Sequence, residues 1–373
     1  MKLNKAYKFR IYPNKEQQEL INKTFGCVRF IYNKMLSDKI TRYELTKERL
    51  NNTPAQYKKE FEWLKEVDSL ALANAQLNLQ TAYNNFFRDK KVGFPKFKSK
   101  KKDKDSYTTN NQRGSISLVN DNKKIKLPKL KEVKIKCNRI IPDSELIKSC
   151  TISLSPSGKY YVSILVEYEK DIVKKEPKLE KTIGLDFSMK DMLVDSNGMI
   201  AKYQYFYYKY QEKLTKEQRK LSRKKKGSKN RDKQRIKVAK VHEKISNCRK
   251  DFQHKLSRWY VDTYDIICVE DINLQQISRL LNFGKKTADN GFGRFRDFLK
   301  YKLEVEGKYF VKIDKWFPSS RLCRHCGFIH SELKLGEMEW TCPSCDTQIN
   351  RDVNAAINIK NEGFRILSQE LAC

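Results

Sequence analysis

The sequence lacks any apolar run of the roughly eighteen residues that a membrane-spanning helix needs. Its first residues alternate charged and apolar side chains and contain no apolar core of a signal peptide. Histidine is scarce, and no two of the four residues His242, His254, His325 and His330 flank a hydrophobic residue as the metal motif of tyrosine transposases requires. We therefore expect no membrane span, no secretion signal and no tyrosine-dependent strand transfer.

Acidic residues are also few relative to basic ones. Lysine and arginine total 78 against 45 aspartates and glutamates, a formal charge of +33 over 373 residues. Such an excess repels itself in a compact fold unless a polyanion shares the surface. Nucleic acid is the expected polyanion, because each phosphate contact also releases a counterion. The alternative is a basic protein with a solvated surface.

The cysteines fall into two classes. Cys323 and Cys326 form one C-x2-C pair, and Cys342 and Cys345 form a second after fifteen intervening residues. This spacing is typical of a structural four-thiolate zinc site, in which His325 is not needed as a ligand. The other six are scattered singly, which favours a reducing compartment over a disulfide scaffold: Cys27, Cys137, Cys150, Cys248, Cys268 and Cys373.

In the first half of the chain, the residue pattern predicts one strand, then helices, then more strands. Alternating apolar residues from Tyr7 to Ile11 predict a half-buried strand, and Asn14 with Gln17 predicts a helix-capping box. Apolar residues at helical spacing continue to about Phe87. Short β-type runs then extend from 117 to 169. The simplest assembly is a β-barrel interrupted by a helical bundle.

Two segments of this half are polar. Residues 90–105 combine two aromatics with many lysines, which suits a surface that follows a nucleic-acid backbone and stacks bases. The alternative is a solvated lysine loop. Residues 170–181 are charged and contain Pro177, and we predict a linker and domain boundary there.

The second half opens with a predicted meander of three strands. The first, from Thr182, carries the lone acid Asp186 in an apolar setting, and a buried carboxylate must be paired, protonated or metal-bound. The others are 192–194 and 199–201, joined by a turn that ends at Gly198. A long helical stretch over 208–264 follows, interrupted at Gly227 and Ser228.

Two further acids occupy informative positions. Glu270 ends a predicted buried strand, and Asp352 lies at the head of an Ala/Ile-rich helix just after the second cysteine pair. The element order is that of a ribonuclease-H-like fold, in which these two acids and Asp186 would converge. Three converging carboxylates can hold two hard divalent cations for in-line phosphodiester displacement. Three neighbouring acids are alternatives, Asp271 being the best placed to support the site: Asp191, Asp195 and Asp271.

Several strings of the chain together resemble the TnpB (OrfB) family of insertion sequences. The resemblance covers nearly the whole chain, except the residues after about Asn361. It is carried by both cysteine pairs and by the following segments: 12–17, 93–101, 183–186, 219–231, 268–273, 317–320 and 351–358.

This resemblance implies an α/β multidomain protein. It implies an N-terminal wedge β-barrel with a helical recognition insertion, then a ribonuclease-H-like RuvC nuclease domain with an inserted zinc ribbon. The implied segments are a wedge at 1–12 and 106–170, an insertion at 13–105, a linker at 171–181, a RuvC domain at 182–316 and 350–361, a ribbon at 317–349 and a tail at 362–373.

The resemblance further implies an RNA-guided DNA endonuclease that binds a guide RNA from the transposon end and cleaves double-stranded DNA beside a short motif. Asp186, Glu270 and Asp352 would be the catalytic acids and would bind two Mg²⁺ ions, for which Mn²⁺ could substitute. One protein per RNA and a cytoplasmic, nucleoid-associated location are expected. The candidate nucleic-acid contacts are Lys96, Lys98, Lys100, Arg223, Lys224, Lys225, Lys226, Lys229 and Arg249.

Two alternatives to cleavage remain open from the sequence. Some relatives lack the acids and act as RNA-guided DNA-binding regulators, whereas all three acids are present here. A structural zinc-ribbon RNA-binding protein would bind without regard to magnesium or to the acids.

Overall fold

A computed structural model describes residues 1–89, 91–188, 190–273, 289, 291–334 and 336–372. Cys373 and the 274–288 part of the predicted nuclease segment lie outside the described residues. The chain divides into two units, Met1–Asp171 and Ile172–Cys373.

The first unit is built on a seven-stranded antiparallel sheet. Its strand order is β2-β6-β7-β1-β5-β4-β3, so that the N-terminal strand is central. Tyr7, Phe9 and Ile11 are buried and alternate with exposed Lys8 and Arg10, as predicted for a half-buried strand. The pairing of the described strands ends at β2 and at β3, and hydrogen bonds do not close the expected barrel. The strands are β1 (Lys2–Tyr12), β2 (Ser106–Asn110), β3 (Ser117–Val119), β4 (Lys124–Leu127), β5 (Lys131–Lys136), β6 (Leu146–Leu154) and β7 (Tyr160–Glu169).

Helices of the first unit pack on this sheet in one apolar cluster. The predicted capping box is confirmed, because Gln17 N donates to Asn14 Oδ1 at 2.8 Å and Asn14 N donates to Gln17 Oε1 at 3.0 Å. The described helices of this unit are α1 (Lys15–Thr46), α2 (Pro54–Glu60) and α3 (Ser69–Arg88), with a 3-10 turn at Glu62–Lys65.

The second unit contains a mixed sheet in the order β11-β10-β8-β9. Its strands are β8 (Thr182–Ser188), β9 (Met192–Asp195), β10 (Ile266–Glu270) and β11 (Tyr309–Ile313). The predicted third meander strand at 199–201 is present only as one antiparallel bridge between Ile200 and Val194, with Asp195 N donating to Met199 O at 3.0 Å and Ala201 N to Leu193 O at 3.1 Å. The predicted turn before it is held by the Asp195 carboxylate, which accepts the backbone N–H groups of Asn197 and Met199.

The α-helices among the described residues of the second unit are α4 (Phe206–Ser222), α5 (Lys229–Thr263), α6 (Phe292–Val305) and α7 (Arg351–Ala372). The predicted break between α4 and α5 is confirmed: Gly227 has φ +85° and the Ser228 side chain caps α5 through Arg231 N. The segment expected as a tail instead continues α7, because Leu367 is buried beside strands β10 and β11.

A two-stranded hairpin, β12 (Glu339–Thr341) and β13 (Gln348–Asn350), lies between β11 and α7 in the chain. Trp340 and Ile349 form its small core with Leu333. Of the helices that the structure describes, none has both the length and the apolar character required to cross a bilayer.

Candidate active site and metal centre

Two of the predicted catalytic acids lie side by side on neighbouring strands. Strand β10 runs parallel to β8 with Val269 paired to Leu185. The next residues along the two strands are Glu270 and Asp186. Parallel strands bring their carboxyl ends to one sheet edge, which is where open α/β sheets place ligand sites.

Helix α7 brings the third acid to the same place. Gly184 allows the helix to approach the sheet, because a Cβ there would lie 2.0 Å from the Ala356 carbonyl oxygen and 2.6 Å from Lys360 N. Side chains two residues apart on a strand share a face, so Asp186 faces the helix as Gly184 does. Asp352 lies one turn before Ala356, on the side toward Asp186.

The pKa shift of Asp186 indicates that the other two acids lie close to it. The pKa of Asp186 is raised well above its usual value by burial, and then by the charges of Asp352 and Glu270. Burial also raises the pKa of Glu270 to about 7 and raises that of Asp352. Each acid is only partly shielded from solvent. Half-buried carboxylates that disfavour their own ionisation form an oxygen donor set suited to hard divalent cations.

Two of the three acids considered as alternatives, Asp271 and Asp195, have partners outside the site. Asp271 Oδ1 accepts a bond of 2.8 Å from Lys312 Nζ, which lowers the pKa of Asp271. Asp195 is buried and accepts from the Tyr260 hydroxyl at 3.0 Å in addition to its turn bonds. Asp191 adds negative charge that raises the pKa of Asp352.

The four paired cysteines converge as a zinc site requires. Their sulfurs all lie within 4.8 Å of one another, and no other group of three or more His, Cys, Asp or Glu among the described residues is so close. Cys323 Sγ lies 3.7 Å from Cys345 Sγ, and Cys326 Sγ lies 3.6 Å from Cys342 Sγ. Tetrahedral Zn–S bonds of about 2.3 Å imply sulfur separations of about 3.8 Å, so these residues fit a zinc ion. His325 is exposed and outside the cluster.

Sequence reasoning missed two asparagines that hold α7 in place. Asn354 and Asn358 are buried, and both donate from Nδ2 to the Leu322 carbonyl oxygen, at 2.8 and 2.7 Å. The available signal was two asparagines four residues apart within an apolar helix, since a buried amide must find partners.

Most of the candidate nucleic-acid contacts are available to a ligand. Lys224 is partly exposed. Six others are exposed: Lys96, Lys100, Arg223, Lys225, Lys226 and Lys229. Lys98 is partly buried, with its Nζ 4.1 Å from the Tyr32 ring centre. Arg249 is different, because its guanidinium donates to the buried carboxylate of Asp289 at 2.7 Å and so neutralises a buried charge.

Three family models match the chain. A model described as "Probable transposase" (OrfB_IS605) matches residues 163–281. A Cas12f1-like TNB domain matches residues 292–359, and a helix-turn-helix domain of the same OrfB group matches residues 1–48.

Curated proteins match over almost the full length. A "Putative RNA-guided DNA endonuclease" of Streptomyces pristinaespiralis is 34% identical over 372 residues, covering 97% of this chain and 90% of that protein. The "Putative RNA-guided DNA endonuclease InsQ" of Escherichia coli K12 is 28% identical over 390 residues, covering 99% and 94%.

Among solved structures, the protein of a Cas12f1–sgRNA–target DNA complex aligns with a TM-score of 0.63 at 12% identity, covering 96% of this chain and 99% of that one. At this identity the likeness concerns the fold. The family models, the near full-length relatives and the shared fold agree, and the chain belongs to the OrfB (TnpB) family of insertion sequences, in which the two relatives above are named as putative RNA-guided DNA endonucleases.

Proposed function

We propose that this protein is an RNA-guided DNA endonuclease whose RuvC-type site contains Asp186, Glu270 and Asp352. The observation that carries the proposal is the meeting of these acids: two stand on adjacent parallel strands, and the charges of Glu270 and Asp352 both raise the pKa of Asp186. The names of the relatives and the net charge of +33 support a nucleic-acid substrate. The guide RNA comes from the transposon end and the target is double-stranded DNA, with one protein per RNA.

The three acids supply carboxylate oxygens for two divalent cations, Mg²⁺ or Mn²⁺. Bound there, such cations activate water and neutralise the charge that develops on the leaving oxygen of a phosphodiester. Asp186 and Glu270 hold their oxygens at one sheet edge because the strands fix them. Asp352 closes the set from the helix, where its negative charge at the helix N-terminus is favourable.

The units have separate roles in this proposal. We assign a wedge domain to 1–12 and 106–170, its recognition insertion to 13–105, and a linker to 171–181. The RuvC domain takes 182–316 and 350–361 together with the rest of α7, and the zinc ribbon takes 317–349. The protein works in the prokaryotic cytoplasm and joins the nucleoid when it holds DNA.

The experiment starts with protein copurified from cells that carry the gene with its flanking DNA, so that the element's own RNA is bound. This complex is mixed with Mg²⁺ and a plasmid library carrying the matching target beside randomised sequence. We expect double-strand breaks that disappear with Asp186→Ala, while target binding persists. Binding without breaks by the unmodified complex would instead indicate an RNA-guided regulator. Breaks that survive Asp186→Ala would refute the assignment of the site.

A further inference from the structure

The N-terminal part of α7 is fastened by two buried side-chain amides. Asn354 and Asn358 are 0% and 4% exposed and lie four residues apart, on one face of the helix. Asn358 Nδ2 donates to the carbonyl oxygens of Ser319 and Leu322, at 2.8 and 2.7 Å. Asn354 Nδ2 donates to the same Leu322 oxygen at 2.8 Å, and its Oδ1 accepts from Arg324 N at 3.1 Å.

The hydrogen bonds of Asn354 reach the residues on both sides of a predicted zinc ligand. Leu322 and Arg324 are the two chain neighbours of Cys323, whose sulfur belongs to the four-thiolate cluster. Asp352 lies two residues before Asn354 in the same helical turn. A continuous set of contacts therefore joins the cysteine cluster to a catalytic acid. Both amides are shielded from water, which cannot replace their bonds without cost.

Helix α7 also contacts strand β8, at Gly184. At Gly184 the helix backbone approaches β8 more closely than a Cβ would permit, which limits its distance from the sheet. The asparagine bonds fix the same end of α7 to the segment that precedes the first cysteine pair. Between them, the two contacts determine where Asp352 stands.

We propose that Asn354 and Asn358 are positioning residues for cleavage, which set Asp352 against Asp186 and Glu270 and make this placement depend on the zinc site. The inference rests on the proposed function. It assigns these amides no part in RNA or DNA binding, since both are buried within the second unit.

The test compares Asn354→Ala and Asn358→Ala with a matched control in the purified ribonucleoprotein. The control is Asn52→Ala, which removes another buried amide, 4% exposed and bonded to Met35 O and the Tyr57 hydroxyl in the first unit. Three quantities are measured: target-DNA binding in Ca²⁺, zinc per chain, and cleavage rate as a function of Mg²⁺ concentration.

We expect both α7 variants to bind target DNA and zinc as the unmodified protein does. Their cleavage should fall by about 10- to 100-fold and require more Mg²⁺ for half-saturation, as is usual when a residue that orients a metal ligand is lost. Asn52→Ala should leave the Mg²⁺ requirement unchanged.

An unchanged Mg²⁺ dependence in the α7 variants would overturn the proposal, as would an equal loss of DNA binding. If both alanine variants fail to fold, Asn354→Ser keeps a neutral polar group at this position and shortens the side chain. Failure of all three to fold would show that the amides serve stability alone. Absence of cleavage by the unmodified complex would instead defeat the proposed function itself.

Discussion

At the scale of single residues, Gly184 permits the close approach of α7 to β8. A Cβ there would collide with backbone atoms of α7, which cannot rotate away as a side chain can. We expect Gly184→Ala to destabilise the protein by about 1–3 kcal/mol, the usual cost of overpacking, and to reduce cleavage. Thermal unfolding measures the loss of stability, and the rate of target cleavage measures the loss of activity.

Gly26→Ala is the matched control for that substitution. Gly26 lies within α1 and, apart from the helix's own backbone, no atom lies within 4 Å of the position that a Cβ would take. The same change should therefore stabilise the helix by about 0.5–1 kcal/mol. Equal effects of the two substitutions would contradict the close approach of α7 to β8.

Glu270 gives a pH-dependent prediction. Its pKa is raised to about 7 by burial, whereas in the unfolded chain it is near 4.5. A carboxyl group with a raised pKa stabilises the fold below its unfolded pKa and loses this stability as pH rises toward 7. Without divalent cations, Glu270→Gln should therefore stabilise the protein at pH 8 by roughly 1–3 kcal/mol, since one pKa unit corresponds to about 1.4 kcal/mol.

The measurement is denaturant unfolding in chelator at pH 8 and at pH 4, where the two proteins should be nearly equal. Glu270→Gln should also abolish cleavage. A variant that is less stable than the unmodified protein at pH 8 would show that the carboxylate is already satisfied without a cation.

The placement of the three acids could be predicted from the sequence, because Asp186 lies within a short apolar strand, Glu270 ends one and Asp352 begins a helix, positions that local patterns reveal. For Asn354 and Asn358 the only signal was their four-residue spacing within an apolar helix, and their partner, the Leu322 carbonyl, lies in another segment that no local pattern identifies. The pairing of Arg249, a predicted phosphate contact, with Asp289 could not be foreseen because the two residues are forty positions apart and outside any local pattern.

At the scale of elements, the β12–β13 hairpin, which carries Cys342 and Cys345 between its strands, should be ordered only when the metal is bound. Its core is small, and structural zinc commonly provides the folding free energy of such modules. We expect Cys342→Ser to lose zinc and to expose residues 317–349 to limited proteolysis. Cys137→Ser changes a cysteine outside the cluster and should leave both zinc content and proteolysis unchanged.

Element boundaries were predictable where caps mark them. The Asn14 box and the Gly227–Ser228 break both follow from backbone chemistry within a few residues. The antiparallel pairing predicted for 199–201 is limited to the bridge between Ile200 and Val194, next to the turn that the Asp195 carboxylate holds. The order of the seven-stranded sheet depends on pairing between distant segments, which no local pattern specifies.

At the scale of the whole molecule, the charge of +33 predicts strong salt dependence of nucleic-acid binding. A protein that neutralises six to ten phosphates loses about 10³–10⁵ in affinity between about 50 and 200 mM salt. Replacing Lys225 and Lys226 by alanine should reduce the slope of log K against log salt by about 2, since each phosphate contact contributes about 0.9.

Fluorescence anisotropy with guide RNA at several salt concentrations measures this slope. Lys34 and Lys255, which already pair with Asp38 and Asp251 at 3.0 and 2.8 Å, provide a double-alanine control of equal charge change. Equal reductions from both pairs would mean that only net charge matters and that the α4–α5 turn has no particular role.

The path of the chain through its two sheets also sets an order of events during synthesis. Strand β1 pairs with β7 from Lys2 with Glu169 to Ile11 with Tyr160, so the first sheet cannot close its centre until the ribosome has passed β7. The proposed nuclease site assembles later still, because Asp352 arrives with α7. A nascent chain stalled before that helix carries only two of the three proposed acids, so the proposed cleavage requires α7 to have been synthesised.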